Sequence, residues 1–176
     1  MFGMNLFDEC VELIKQWKPQ QKYSTEEDYK KDLRDFLFKS LNRESPFYGK
    51  RSINVKEEVG RSLCDIAIGR EVGIEIKFGK NGKIKQGEID RLKGQVERHR
   101  IDYQGGIIVV LVGDVDDYSF EDIRENLNRL YYLINRDFGF GLNIFNLRLI
   151  NKSHSKKESI KSQDTYGLGN SIKDLF

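Results

Sequence analysis

LCDIAIGREVGIEIK, residues 63–77, is the stretch from which the rest of the chain is read. Ile66 and Ile68 alternate with Asp65 and Ala67, Gly69 and Gly73 bracket a turn, and Ile74, Ile76 and Phe78 then alternate with Glu75 and Lys77. Side chains two apart on a strand share a face. The stretch therefore predicts a hairpin with one apolar face, and Asp65, Glu75 and Lys77 together on the other. Two carboxylates and an ammonium are costly to bury against a sheet unless they pair or hold a metal. This cost is the first pointer to chemistry; the competing reading is an ion-paired edge hairpin.

Upstream, residues 5–17 carry Leu6, Cys10, Leu13, Ile14 and Trp17 at helical spacing, and Pro19 ends that helix. A second helix is predicted from Ser24-Thr25, with Ser24 and Glu27 as a capping box and Tyr29, Leu33, Phe36, Leu37 and Leu41 as its buried stripe. Glu26 joins the start of that inward stripe. A loop over 43–52 and a strand over 53–59 lead into the hairpin, and either Glu57 or Glu58 is a candidate outer acid. Downstream, GKNGKIKQGE reads as a flexible basic loop. A helix over 88–101 follows, with Ile89, Leu92 and Val96 on its core face and Gln95 and His99 four apart on another side. A continuous apolar strand over 107–112, a helix over 120–136 and an alternating strand over 143–150 complete the order.

The 176 residues suit one domain, assigned to 1–150, and a hydrophobic fraction of 38% with 33% charged residues fits a globule with a charged surface. No apolar run approaches the ~18–20 residues of a membrane span. The N-terminus MFGMNLFDEC has acidic residues where a signal peptide needs positive charge, so a cytoplasmic chain is expected. Cys10 and Cys64 lie far apart without a metal-site neighbour in sequence and read as reduced core residues. His154 is the only histidine besides His99, so no His-based zinc site is expected. Net charge is only +2, but residues 77–100 hold eight Lys or Arg against three Asp or Glu. Such a stretch beside carboxylates suits a phosphate backbone, while a solvated loop and helix face is the plainer account.

Asp65 on one strand of a hairpin and Glu75-x-Lys77 on the next resemble the signature of the PD-(D/E)xK nuclease superfamily, which includes restriction-endonuclease-like and archaeal resolvase-like nucleases. Cys64 stands where the signature has proline. The resemblance covers roughly residues 24–112 in order and kind. It implies an α/β fold with a restriction-endonuclease-like αβββαβ core and a mixed central sheet, here with an extra N-terminal helix and a C-terminal αβ. It also implies a catalytic acid from the first core helix, Glu26 with Glu27 as the alternative. Gln95 matches a Gln-x-x-x-Tyr pattern that accompanies the site lysine in several such nucleases, with His99 at the aromatic position.

Asp65 and Glu75 supply hard oxygen ligands suited to Mg²⁺ rather than zinc, with Mn²⁺ able to substitute. The Ile76 backbone carbonyl would complete the metal site, and Glu26 would reach it from its helix. Lys77 would orient or deprotonate the attacking water and stabilise the charge on phosphorus. Lys80, Lys83, Lys85, Lys93, Arg98 and Arg100 are the candidate contacts to nucleic acid. The expected activity is a metal-dependent DNA endonuclease of the repair, recombination or restriction type. A non-catalytic DNA-binding or assembly module on the same fold and an RNA endonuclease are the alternatives. DNA is the expected partner, and a homodimer is compatible with the same reading.

From Asn151 the composition turns to Ser, Lys, Gly and Asp, which predicts a polar tail over 151–176. It ends NSIKDLF, where Ile172, Leu175 and Phe176 resemble the short C-terminal motifs that bind sliding clamps, although Gly169 stands in place of the usual Gln. Packing of this end on its own domain or on a twin subunit is the alternative.

Overall fold

The structure, a computed structural model, describes residues 4–45, 49–57, 64–136 and 145–154. The sequence expectations for Glu58, for the end of the 53–59 strand and for Ile172, Leu175 and Phe176 lie outside these residues.

Helix α1 (Leu6–Gln16) starts where the Asn5 side chain accepts the Asp8 N–H at 2.8 Å, and it buries Phe7, Cys10, Val11 and Ile14. Trp17, immediately after it, is a core anchor at 1% exposure. Helix α2 (Glu26–Leu41) is capped by Thr25, whose hydroxyl accepts the Asp28 N–H. The predicted box of Ser24 and Glu27 is thus displaced by one residue. Thr25 accepts an open N–H group instead and donates its hydroxyl proton to the Asp28 carboxylate, leaving Glu27 exposed in ion pairs with Lys30 and Lys31.

A short antiparallel pair, β1 (Glu44–Ser45) and β2 (Gly49–Lys50), stands apart from the main sheet. The five-stranded sheet has the spatial order β3 (Val55–Glu57), β4 (Ile66–Ile68), β5 (Val72–Gly82), β6 (Gly106–Val115), β7 (Leu147–Asn151). Its first three strands are antiparallel neighbours, while β5–β6 and β6–β7 are parallel. The parallel pairs require crossovers, supplied by α3 (Gln86–His99) and α4 (Asp117–Arg136). The molecule is therefore a mixed α/β structure with four helices among the described residues.

Each face of the sheet has its own core. Ile66, Ile68, Ile74, Ile76, Ile108 and Val110 pack with α1 and α2, and Ala67, Ile107, Val109, Leu111 and Leu149 pack with α3 and α4. Strand alternation produces this division, and it sends Glu75 and Lys77 toward the α3 side. No helix among the described residues is long and apolar enough to cross a membrane.

Three local expectations are corrected. Gly73 lies inside β5 rather than closing the turn, because Ile68 already pairs with Val72 and only residues 69–71 bridge the hairpin. The flexible loop expected over 79–88 is strand as far as Gly82 and helix from Gln86, and the end of β5 folds back through Lys80–Lys83 backbone hydrogen bonds, with Asn81 and Gly82 at positive φ. The tail does not begin at Asn151, since the N–H groups of Lys152 and His154 still bond the carbonyls of Leu111 and Gly113 on β6.

Gly73 is glycine for a steric reason. A Cβ there would lie 2.5 Å from Cys64 Sγ, 2.7 Å from Ile107 Cδ1 and 2.8 Å from the Tyr103 ring. Overpacking a filled core costs about 1–3 kcal/mol. Gly73→Ala should lower the unfolding free energy by that amount, seen as a lower denaturant midpoint at unchanged slope; an unchanged midpoint would show that the core gives way at Cys64 and Tyr103.

Candidate functional site

Strand β4 stops pairing with β5 at Ile66–Ile74, yet β5 continues for eight residues. The N–H groups on that side of β5 need acceptors once β4 has ended. Two carboxylates provide them. Asp65 Oδ2 accepts the Ile76 N–H at 2.7 Å, and Glu26 Oε2, from the first turn of α2, accepts the Phe78 N–H at 3.0 Å. The N–H and C=O of one strand residue point to the same side, so the Ile76 carbonyl faces this edge too. Asp65 and Glu26 are both half-buried, whereas Glu27 faces solvent.

Behind the edge, on the α3 side, Glu75 is 0% exposed and Lys77 is 4% exposed. Glu75 Oε1 lies 3.1 Å from His99 Nδ1 and Oε2 lies 3.7 Å from Lys77 Nζ. The Lys77 distance allows Coulombic attraction, but neither oxygen accepts a hydrogen bond among the described residues. Asp65 belongs to the same electrostatic group. Burial pushes its carboxyl up to about 6, the charge of Glu75 adds to this, the Ile76 N–H and Lys77 oppose it, and Glu26 raises it slightly further.

His99 and Cys64 depart from their sequence assignments. The sequence expectation set His99 beside Gln95 on a helix side apart from the core stripe, but the residue is 1% exposed and turns its Nδ1 to Glu75 and, at 2.9 Å, to Cys64 Sγ. Cys64 is buried, as expected of a core residue. It is not, however, without metal-ligand neighbours. The chain bends at Asp65, so Cys64 sits on the Glu75 face together with Ala67, where simple alternation places it on the opposite one. Cys64, Glu75 and His99 form the only group of three such side chains, among the described residues, whose ligand atoms all lie within 4.8 Å of one another. Glu26, Asp65 and Glu75 are spread more widely. The one available sequence signal was helical spacing: His99 follows Val96 by three residues and Leu92 by seven, which puts it with the core stripe rather than on a separate side.

The remaining candidates surround this centre. Gln95 is half-buried, and its Oε1 is buried with no hydrogen-bond partner among the described residues. Lys80, Lys83, Lys85 and Arg98 are exposed, and Arg100 is half-buried. Lys93 leans onto α4, where it reaches Asn126 Oδ1 at 3.4 Å. Glu57 is half-buried and paired with Arg34 at 2.6 Å.

Compared with protein-family models, with curated proteins and with solved structures, the chain has no significant match.

The raised Asp65 carboxyl has a consequence for stability. Its ordinary value is 3.8, so between about 4 and 6 the folded protein holds a proton that the unfolded chain has released. Stability then falls as pH rises through that window, and the loss is complete above about 6. At 1.4 kcal/mol per unit, the upper bound is roughly 3 kcal/mol. With EDTA present, Asp65→Asn should therefore be more stable than wild type at pH 7, and this advantage should vanish near pH 4. A pH-independent difference in unfolding free energy would contradict the assignment.

Proposed function

We propose that the protein is a metal-dependent nuclease of PD-(D/E)xK type with DNA as its substrate, and that its αβββαβ elements form the restriction-endonuclease-like core of such enzymes. The observation that carries this reading is Glu75: a carboxylate at 0% exposure, beside a buried lysine, with neither oxygen hydrogen-bonded among the described residues. An ion pair serving stability alone needs its lone pairs satisfied to offset the desolvation of two charges. Oxygens left without a donor, near enough to Asp65 for the two charges to couple, suit a cation.

The donor set fits a hard ion. Asp65, Glu75 and the Ile76 carbonyl, with Glu26 beside them, would hold Mg²⁺, for which Mn²⁺ would substitute. Bound there, the ion would supply positive charge to the phosphoryl oxygens and make the attacking water more acidic. Lys77, held at 3.7 Å from Glu75, orients that water, can hold its proton and counters the charge that builds on phosphorus. Asp65 and Glu26 are tied to the β5 backbone by their hydrogen bonds, and the carboxylates, spread beyond 4.8 Å, would have to draw together to share one ion. The exposed Lys80, Lys83, Lys85 and Arg98 track the phosphate backbone and read no bases.

Supercoiled, linear, single-stranded and branched DNA, and RNA, incubated with Mg²⁺ or with EDTA, test the reading. Mg²⁺-dependent cleavage of DNA is expected. Asp65→Ala, Glu75→Gln and Lys77→Ala should each lower the rate at least roughly a hundredfold, the loss typical of a group that stabilises developing charge. Binding without cleavage would favour a non-catalytic DNA-binding module, and cleavage of RNA alone would move the substrate class.

Affinity for duplex DNA, measured from low to high salt, should fall log-linearly and vary little with sequence. A salt-insensitive affinity would remove the basic residues from the interface.

A further inference from the structure

We propose that Cys64, Glu75 and His99 form a site for a thiophilic divalent cation of the zinc class, different in donor chemistry from the all-oxygen arrangement at the β5 edge. Three separate elements bring the donors together: the bend before β4, the middle of β5 and the last turn of α3. Their ligand atoms all lie within 4.8 Å of one another, with His99 Nδ1 at 2.9 Å from Cys64 Sγ and 3.1 Å from Glu75 Oε1. A tetrahedral zinc site with bonds of about 2.3 Å to sulfur and about 2.0–2.1 Å to nitrogen or oxygen separates its ligand atoms by roughly 3.3–3.6 Å. The two contacts of Nδ1 therefore need to lengthen by up to roughly 0.7 Å, and the sulfur and the carboxylate oxygen, at most 4.8 Å apart, to settle near roughly 3.6 Å. Both Glu75 oxygens are buried without a hydrogen-bond partner among the described residues, an independent sign that the cluster is built for a cation.

A thiol nucleophile activated by His99 is the main rival, and the geometry opposes it. A nucleophile–base–acid relay uses both nitrogens of the imidazole, one for each partner. Here the thiol and the carboxylate meet the same nitrogen, while Nε2 is buried with no hydrogen-bond partner among the described residues. Sulfur, nitrogen and oxygen converging on one point suit a borderline-soft ion better than Mg²⁺. Glu75 belongs to both donor sets. If the nuclease reading holds, on which this consequence rests, a thiophilic ion withdraws Glu75 from the Mg²⁺ arrangement.

Co²⁺ titrated into the full-length protein under reducing conditions tests the site. Expected are the visible bands of a low-symmetry cobalt centre and a thiolate-to-cobalt charge-transfer band in the near ultraviolet. Both should saturate at about one ion per chain, bleach with one equivalent of Zn²⁺ and persist in excess Mg²⁺. Cys64→Ser should abolish the charge-transfer band, Cys10→Ser should keep it, and His99→Gln should weaken binding roughly tenfold or more. A wild-type protein without that band, or a band lost in Cys10→Ser and kept in Cys64→Ser, overturns the proposal. The wild-type spectrum decides even where Cys64→Ser does not fold. Since the readout is cobalt binding, a band without any DNA cleavage removes the nuclease reading alone, and cleavage without a band removes this site alone.

Discussion

The arrangement depends on what satisfies the edge of β5 once β4 has ended. A strand edge that is half paired leaves N–H groups that must find acceptors. In this protein they are met by Asp65, just ahead of β4, and by Glu26 from the first turn of α2. Ionised acceptors make stronger hydrogen bonds than neutral ones. Each bond therefore does two things: it closes the sheet edge and holds a carboxylate at a defined height along β5. The short β4 and the long β5 are the structural cause of a carboxylate pair at that place.

Glu75 presents the opposite situation, a carboxylate with too few partners. Its neighbours on the α3 side are Lys77, His99 and Cys64, all buried. The arrangement costs desolvation energy that a purely structural core would avoid. Gly73 is part of the same construction, because only the absence of a side chain there admits Cys64 and Tyr103 beside the strand. Hard oxygen donors thus line the strand edge, a sulfur and an imidazole lie behind it, and Glu75 stands between them. Both the proposed nuclease centre and the proposed thiophilic site follow from that shared carboxylate.

Much of this was legible in residues 63–77. Period-two alternation across Ile66, Ile68, Ile74 and Ile76 placed the hairpin, and the order of helices and strands around it followed from helical spacing and the apolar run at 107–112. The length of β5 was not legible. Glycines and lysines over 79–85 have the composition of a loop, but pairing with β6 carries the strand through them to Gly82. Propensity is a weak prior when a neighbouring strand offers a full set of hydrogen bonds. The α2 cap moved by one residue for a similar reason: Ser24 and Thr25 both carry a hydroxyl, and only the path of the chain decides which one meets the helix.

By itself the sequence determined the order of helices and strands and the strand that carries Glu75 and Lys77 on one face, because strand and helix periodicities are local properties; the mixed sheet and Glu26 as a nearby acid, with Glu27 as the alternative, were implied by the family resemblance. Only the tertiary structure decided that Asp65 turns to the β5 edge, that Cys64 crosses to the Glu75 face, and that His99 is buried against both. A bend of one residue reverses the facing of a side chain, and no local pattern reports where a helix some 35 positions away will come to rest.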